Sequence, residues 1–487
     1  MEPLRVLSQS DMERIDDAAR GILATTGMRI ESDEALDHLE RFGCRVDRGT
    51  GVVRFPPELT ARVVERMRQD YRREDRPERM AVRFSHVRFR PCAHRVHEDF
   101  TVSAGGFCCF LHDLQGCRRP ANRRDVLCSI NMVNHLENIT YTGLPVADQE
   151  LPPKVRPVVM AAELAKYTRK LGGIETYCKD DIGPIQEIAQ VVAGSAEALK
   201  RQPMMVGYAE IRSPLCFDRT MVEIFMEYIR RGVPQTVDTM PAGGTTAPVT
   251  AAGVLALGAA ETIAPMVLAY AMRDDPVVSL DITCTYADMA SGTYKYGGPD
   301  RCNLLMARVQ LLSEYYGCPT GVHGGKTDSC FHDEQAGADK LATMLLTVLA
   351  GAVGIGTVGH LENAVTFCPV QLVIDNELVG YVRRAIRSPL EVSDETLATD
   401  LIASVGPGGQ FLDSAHTADH FRQELFLSPL FPARPWETAR ADPQRYETAA
   451  AARAIAAELW RPPEAPVLSD EQVREIDRIV RHATSNA

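Results

Sequence analysis

The sequence lacks a basic excess, a cysteine frame and a long uninterrupted apolar run. Lys and Arg number 53 against 65 Asp and Glu, a net charge of −12. This charge excludes a general binder of nucleic acids or membrane surfaces, since both need a basic surface. The 13 cysteines show no repeating C-x-x-C spacing, which predicts free thiols. Glu261 interrupts the most apolar stretch, residues 251–272, so we expect no membrane span.

The remaining composition is that of a folded protein, with 45% hydrophobic and 24% charged residues in 487. The first residues, MEPLRVLSQSDMERIDD, contain no apolar core of the kind that secretory signals have. Together with the free thiols, this pattern favours a cytoplasmic protein.

Residues 101–360 alternate short apolar segments with longer amphipathic ones. Eight such units in about 260 residues indicate an α/β fold, the (β/α)₈ TIM barrel. A doubly wound sheet stays open, because counting strands does not show closure. The predicted strands are residues 101–104, 139–143, 170–176, 203–209, 234–239, 277–282, 319–323 and 353–358. The predicted helices are residues 123–135, 154–169, 182–201, 219–231, 247–272, 299–316 and 335–350, with an eighth beginning near Pro369.

Three regions follow from this pattern. Residues 1–100 predict an N-terminal extension with helices at 8–24, 32–42 and 57–69 and a β-hairpin over 81–102. Residues 101–385 form the predicted barrel domain. Residues 386–487 predict a helical C-terminal region, with helices at 393–404, 438–460 and 469–482.

The carboxyl ends of the predicted strands are rich in glycine, hydroxyl, carboxylate and histidine residues. In a barrel these ends meet at one face, which is where active sites lie. Tight turns explain any single loop equally well, but the repetition over five or six loops indicates a functional mouth. The candidate residues at these ends include Phe107, Glu175, Glu210, His323 and His360.

Two of these loops carry denser patterns. Gly243-Gly244-Thr245-Thr246 would offer backbone N–H groups to an anion at a predicted helix N-terminus, while a cap by Thr245 or Thr246 explains the pattern equally well. The segment HGGKTDSCFHD, residues 323–333, suggests either a metal site or a Cys330 thiol activated by a histidine. On residue types alone, a packing role for Cys330 is favoured over both.

Aromatic residues cluster after the sixth predicted strand. Tyr286, Tyr294 and Tyr296 lie in the segment YADMASGTYKY. Aromatic faces bind quaternary ammonium ions by cation–π attraction. Carboxylates at the same mouth, such as Glu210, would add negative charge that attracts the cation. The alternative is that the rings cover the barrel rim.

Several segments, taken in order, resemble the trimethylamine methyltransferase family of corrinoid-dependent methyltransferases. The resemblance extends nearly from end to end, and the combination of segments is more specific than any one of them. The segments are ILATTGMRIES with ALDHLERFGCRVD, GVVRFPPELTARVVERM, PAGGTTAPVT, GGKTDSCFHDEQAGADK and GPGGQFLDSAHTADHFR.

The resemblance implies a barrel that moves a methyl group from an N-methylated amine to Co(I) of a separate corrinoid protein. Founding members carry pyrrolysine in the segment similar to TDSCFHDEQAGADK, at or next to Cys330 here, and this chain has none. Members without pyrrolysine are associated with quaternary amines such as glycine betaine, proline betaine or carnitine. A quaternary nitrogen is already activated, because loss of its methyl group leaves a neutral amine.

From this resemblance and the residue types we predict the following roles. His323, Cys330 and Glu175 are the catalytic candidates. The substrate-binding candidates are Tyr286, Tyr294, Tyr296, Glu210, Thr245, Thr246, His360 and Phe107. Lys326 or Lys295 would meet a substrate carboxylate.

We expect no resident metal and no tightly bound cofactor, with the corrinoid (cobalamin) supplied in trans by a partner protein. We also expect a homo-oligomer. Two alternatives stay open: a zinc- or thiol-dependent barrel methyltransferase or lyase that uses Cys330, and a non-catalytic methylamine-binding homologue.

Overall fold

The computed structural model describes residues 1–73, 94–201, 206–387 and 390–485. Its N-terminal part contains helices Gln9–Thr25, Asp33–Phe42 and Pro57–Tyr71 and strands Met28–Ile30, Arg45–Asp47 and Val52–Arg54. Ser8 and Ser32 cap the first two helices, because each side chain accepts a backbone N–H of the first turn. The three predicted helices are therefore confirmed. Most of the hairpin predicted over residues 81–102 lies outside the described residues.

The central part is an α/β fold in which strands alternate with helices, as predicted. Its strands are Thr101–Val102, Phe110–His112, Arg118–Pro120, Gly207–Ile211, Cys216–Phe217, Gln235–Thr239, Ala242–Gly243, Val278–Leu280, Thr285–Ala287, Tyr294–Lys295, Gly321–Val322, Gly354–Ile355, His360–Leu361 and Thr366–Phe367. Its helices are Arg123–His135, Arg156–Tyr167, Lys179–Asp181, Ile182–Ala193, Ala196–Arg201, Arg219–Arg231, Ala251–Met272, Pro299–Gln310, Leu311–Tyr315, Glu334–Leu349, Glu362–Ala364 and Pro369–Ala385.

Parallel pairing connects the predicted strands in short sheets. Gln235–Thr239 lies between Gly207–Ile211 and Val278–Leu280. Gly354–Ile355 lies between Gly321–Val322 and Thr101–Val102, so the last predicted strand pairs with the first. Around residues 139–143 and 170–176 the pairing is reduced to the isolated parallel bridges Ser103–Tyr141 and Thr142–Leu171.

The helix Ala251–Met272 occupies the centre of one of the two large hydrophobic cores. It packs against the N-terminal helices, so that residues such as Leu23 and Leu255 share one cluster. By length and hydropathy this helix could cross a membrane, but 83% of its most apolar window is buried inside the protein. Its single acid, Glu261, is fully buried and accepts hydrogen bonds from Ser213 Oγ and the Leu215 N–H, both at 2.7 Å.

The C-terminal region is helical, as predicted, in more pieces than expected. Its helices are Asp394–Leu397, Thr399–Val405, Ala415–Glu424, Trp436–Ala441, Pro443–Tyr446, Thr448–Leu459 and Asp470–Thr484. The predicted helix 393–404 is broken at Ala398, whose φ is 49°. Only the last two helices bury side chains, with Ala456 and Ile476 in the core of the central part.

Candidate functional site

Strand ends surround a cavity of about 160 Å³. Three predicted site residues line it: Phe107, Glu175 and His323. Other lining side chains come from further strand ends: Ser103, Tyr141, Tyr208, Asp281, Val322 and Thr357. Glycine backbone forms much of the remaining wall, since a Cβ at Gly143 would lie 2.5 Å from the Gly173 carbonyl oxygen.

Three carboxylates interact beside this cavity. Asp238 is buried and accepts hydrogen bonds from Tyr208 Oη at 2.8 Å and from Thr283 Oγ1 at 2.7 Å. Burial, together with the charges of Asp238 and Glu175, raises the pKa of Glu210 to about 7. A cation bound at this corner would relieve the repulsion among these carboxylates.

Lys326 and Tyr296 face each other at the same corner. Lys326 Nζ lies 4.0 Å from the centroid of the Tyr296 ring, and the Arg301 guanidinium lies 5.1 Å from it. Burial and the charge of Arg301 lower the pKa of Lys326 to about 8, against the attraction of Asp238 and Glu210. The Tyr296 face predicted for a substrate cation is therefore engaged by the protein's own lysine.

Arg301 is buried, and its Nε and Nη2 atoms have no hydrogen-bond partner within the described residues. Its Nη1 donates to the Tyr296 carbonyl oxygen at 2.7 Å. A buried guanidinium with unused donors next to a second buried cation is suited to an anionic group.

The donor atoms of Asp238, Asp281 and His323 lie within 4.8 Å of one another. Three oxygen and nitrogen donors at that spacing are compatible with a metal ion. However, Arg308 is fully buried and donates to Asp281, and it also donates to the Gly321 carbonyl oxygen at 2.6 Å. This internal cation already neutralises Asp281, which favours a structural ion pair there.

His360 is fully buried, and neither ring nitrogen has a hydrogen-bond partner in the described parts of the chain. Burial, reinforced by the charges of Lys340 and Lys326, lowers its pKa well below the usual range. The imidazole is therefore neutral, and the role of His360 in substrate binding stays a prediction. Its ring packs against Gly106, which has a φ of 147°.

Replacing Gly106 by alanine is expected to lower the free energy of unfolding by about 1–3 kcal/mol. The new Cβ would lie 2.3 Å from His360 Cε1 in a backbone conformation that side chains rarely adopt. Urea denaturation measures the change. Gly337→Ala is the matched control, because nothing lies within 4 Å of a Cβ at that helical position. Equal stability of the two variants would contradict the expected clash.

Cys330 does not share the cavity with His323. It is exposed, and it is absent from the described cavity lining. The loop around it is organised by Ser329, whose Oγ donates to Asp333 Oδ2 at 2.8 Å. This loop turns the thiol outward, which sequence proximity to His323 does not reveal.

The predicted anion cradle after Met240 is wrong in its backbone part. The helix begins at Ala251, not at Ala247, so Thr245 and Thr246 lie in a separate turn. The N–H groups of Thr245, Thr246 and Ala247 all donate to the Ala242 carbonyl oxygen. They are therefore already used inside the turn. The hydroxyl roles of Thr245 and Thr246 stay predictions.

Tyr286 and Tyr294 lie on a two-stranded hairpin in which Tyr286 pairs with Lys295 and Tyr294 with Ala287. The Tyr286 ring is half-buried against Gly243 at the edge of the core. These contacts agree with the alternative of rings that cover the rim, and the roles of both tyrosines in binding a cation stay predictions.

Sequence inspection missed the buried cations Arg301 and Arg308. Both lie on the helix Pro299–Gln310, between two predicted strands. Charged residues on a helix usually face water, so residue type alone indicated a surface position. An available signal was the spacing of seven, which places both side chains on the same helix face.

The similarity of the chain to known proteins identifies its family. A profile described as trimethylamine methyltransferase matches residues 1–486. The chain belongs to the trimethylamine methyltransferase family.

Relatives in this family include a trimethylamine methyltransferase of Desulfitobacterium hafniense, 29% identical over 426 residues that cover 86% of this chain and 82% of the relative. A glycine betaine methyltransferase of the same species is 26% identical, over 89% of this chain and 88% of the relative. The crystal structure of the monomethylamine methyltransferase of Methanosarcina barkeri matches with a TM-score of 0.46, at 11% identity, over 98% of this chain and 93% of that one. The resemblance inferred from the sequence segments is thus confirmed.

Proposed function

We propose that this member of the trimethylamine methyltransferase family moves a methyl group from a quaternary amine to Co(I) of a separate corrinoid protein. The observation that carries the proposal is the acidic cluster of Glu175, Glu210 and Asp238 beside the cavity. A quaternary amine is a cation at every pH, so it compensates such a cluster without taking up a proton. The relative named glycine betaine methyltransferase supports the same substrate class.

A closed (β/α)₈ barrel is part of this proposal. Pairing of the last predicted strand with the first supports closure. Between the bridge at Leu171 and the strand Gly207–Ile211, a Cβ on Gly173 would lie 3.3 Å from the Val206 carbonyl oxygen. Arg308 connects the sixth and seventh strands, because it donates to both Asp281 and Thr320. In a closed barrel the cavity lies at the carboxyl ends of the strands.

The chemical step needs a positioned N–CH₃ bond and little acid–base help. The methyl carbon leaves with no bonding electrons, the C–N electron pair stays on nitrogen, and a neutral tertiary amine results. Co(I) of the partner supplies the electron pair for the new bond to carbon. The residues around the cavity hold the cation, orient one methyl group outward and keep water away.

A substrate carboxylate fits the cationic side of the same corner. Lys326 and the unused donors of Arg301 are buried cations close to the acidic cluster. A betaine places a quaternary nitrogen and a carboxylate a few bonds apart, which matches carboxylates and cations that lie side by side at this corner. We therefore propose a zwitterionic donor such as glycine betaine, proline betaine or a carnitine-like compound.

The corrinoid is proposed to approach from outside. A cavity of about 160 Å³ holds a small amine and is far too small for a corrin ring. The methyl group must therefore be presented at the mouth to a docked partner protein. A homo-oligomeric state and a cytoplasmic location stay predictions.

An absorbance assay tests the proposed reaction. The protein is mixed with chemically reduced cob(I)alamin and with glycine betaine, proline betaine, carnitine, γ-butyrobetaine or trimethylamine. We expect methylcob(III)alamin to appear with one zwitterionic donor. Tetramethylammonium and choline are the matched controls, because each has the quaternary nitrogen without the carboxylate. If free cobalamin gives no product, the assay is repeated with protein-bound corrinoid.

Transfer from trimethylamine alone would contradict the quaternary substrate, and equal transfer from choline would contradict the carboxylate contact. An unchanged rate in Cys330→Ala is expected, since this thiol lies outside the described cavity lining. Loss of activity in Cys330→Ala would favour the thiol-dependent alternative. Betaine binding without methyl transfer to either acceptor would favour the non-catalytic homologue.

A further inference from the structure

A second cluster of potential ligands lies away from the carboxylates of the cavity. His112 ends the strand Phe110–His112, His332 lies in the loop before the helix Glu334–Leu349, and Cys368 precedes the helix Pro369–Ala385. One donor atom from each of these side chains lies within 4.8 Å of the other two. Three segments that are distant in sequence thus converge on one point.

The chemistry of the cluster is that of a soft metal site. Two imidazoles and one thiol are ligands that zinc prefers, and catalytic or structural zinc sites use such mixtures. The cluster contains no carboxylate, which argues against magnesium or calcium. His112 and Cys368 are buried, and their Nδ1 and Sγ atoms are 3.7 Å apart. In a tetrahedral zinc site the ligand atoms are roughly 3.3–3.8 Å apart, so a small contraction suffices.

His332 completes the arrangement. Its ring centroid is 6.0 Å from that of His112, and its buried Nδ1 atom has no hydrogen-bond partner within the described residues. A hydrogen-bonding role does not explain this ring nitrogen, because it is buried and unpartnered beside a thiol and a second imidazole.

We propose that His112, His332 and Cys368 bind one Zn²⁺ ion, with a fourth position left for water or another ligand. On binding, the Cys368 thiol loses its proton to solvent and a Zn–S bond forms, with no change in oxidation state. The site is independent of the methyl-transfer proposal and contradicts the expectation that the chain holds no metal.

The proposed ion would link two parts of the structure. The ion ties the loop that carries Cys330 and Phe331 to the small sheet formed around Phe110–His112 and Thr366–Phe367. Phe331 is exposed, and its ring contacts the ring of His112 in an edge-to-face arrangement. The loop thereby gains a fixed position relative to that sheet.

Cobalt substitution tests the site without reference to activity. The full-length protein is treated with chelator under reducing conditions and titrated with Co²⁺. We expect one ion per chain, with the visible d–d bands of tetrahedral cobalt and a thiolate-to-cobalt charge-transfer band in the near ultraviolet. Zn²⁺ should displace the cobalt, and elemental analysis should then find one zinc per chain.

Matched cysteine variants assign the ligand. Cys368→Ser is expected to lose the charge-transfer band and to weaken zinc binding about 100-fold or more. Cys330→Ser should keep both, although it lies two residues from His332. His332→Gln, at a half-buried position, should weaken binding similarly and is the second variant should Cys368→Ser fail to fold. Circular dichroism checks each variant. No stoichiometric cobalt, or a band unchanged in Cys368→Ser, would overturn the proposal.

Discussion

Glu210→Gln is expected to weaken binding of the quaternary amine about 10–100-fold and to remove the fall in affinity below pH 7. In the wild-type protein the pKa of Glu210 is raised to about 7, so the carboxyl group is neutral below pH 7 and charged above it. A cation binds the charged form. Affinity should therefore fall as the pH drops below 7, by up to about tenfold per pH unit. Affinity should be greatest between pH 7 and 8 and should fall again above pH 8, where Lys326, with its pKa lowered to about 8, loses the charge that meets the carboxylate.

Calorimetric titration with glycine betaine from pH 5.5 to 8.5 measures this effect directly, without the corrinoid partner. The glutamine side chain keeps the shape and loses the charge, so the expected result is a profile without the fall in affinity below pH 7. Glu197→Gln, on the exposed face of the helix Ala196–Arg201, is the matched control and should follow the wild type. A glutamine variant that binds as tightly as the wild type at pH 8 would show that Glu210 does not contact the cation.

Breaking the ion pair between Lys340 and Asp375 is expected to cost about 3–5 kcal/mol of the free energy of unfolding. Both side chains are fully buried, and Lys340 Nζ donates to Asp375 Oδ2 at 2.7 Å and to the Gly325 carbonyl oxygen at 2.6 Å. Asp375 also accepts the Gly359 N–H at 2.6 Å. The pair thus holds together the two loops that carry Lys326 and His360.

Chemical denaturation of Asp375→Leu, Lys340→Met and the double variant tests this pair. Asp375→Leu should be the least stable, because it leaves a buried ammonium group with a single carbonyl partner. The double variant should regain part of the loss, since no unpaired charge remains. Glu475→Gln, which breaks an exposed pair with Arg478, should leave the midpoint unchanged. Additive losses in the double variant would refute a coupled pair.

Local signals explain which parts of the fold sequence inspection predicted. The helices Arg123–His135 and Arg219–Arg231 coincide with their predicted bounds, because Asn122 and Asp218 cap their first turns and Gly232 ends the second. The strands are shorter than predicted. Regular strand pairing stops at positions where a glycine or a loop crosses the sheet. Those positions depend on neighbouring segments that are distant in sequence.

The candidate site shows the same contrast between residues that the sequence could place and residues that it could not. Phe107, Glu175 and His323 line the cavity because strand ends converge wherever strands are parallel, a rule that needs no coordinates. Cys330 is exposed and lies outside the cavity lining although it is close to His323 in sequence, and hydrogen bonds inside its loop set the direction of its side chain. The ligand cluster His112, His332 and Cys368 spans 256 residues of sequence, and only the tertiary structure brings its members together.

The central position of the helix Ala251–Met272 has a consequence for synthesis on the ribosome. The first helix, Gln9–Thr25, buries Met12, Ile15 and Leu23 largely against this helix, which emerges roughly 230 residues later. At about 5–20 residues per second the N-terminal helices wait for roughly 10–50 seconds with their apolar faces uncovered. During that interval the nascent chain is a natural client for a chaperone that binds exposed apolar helices.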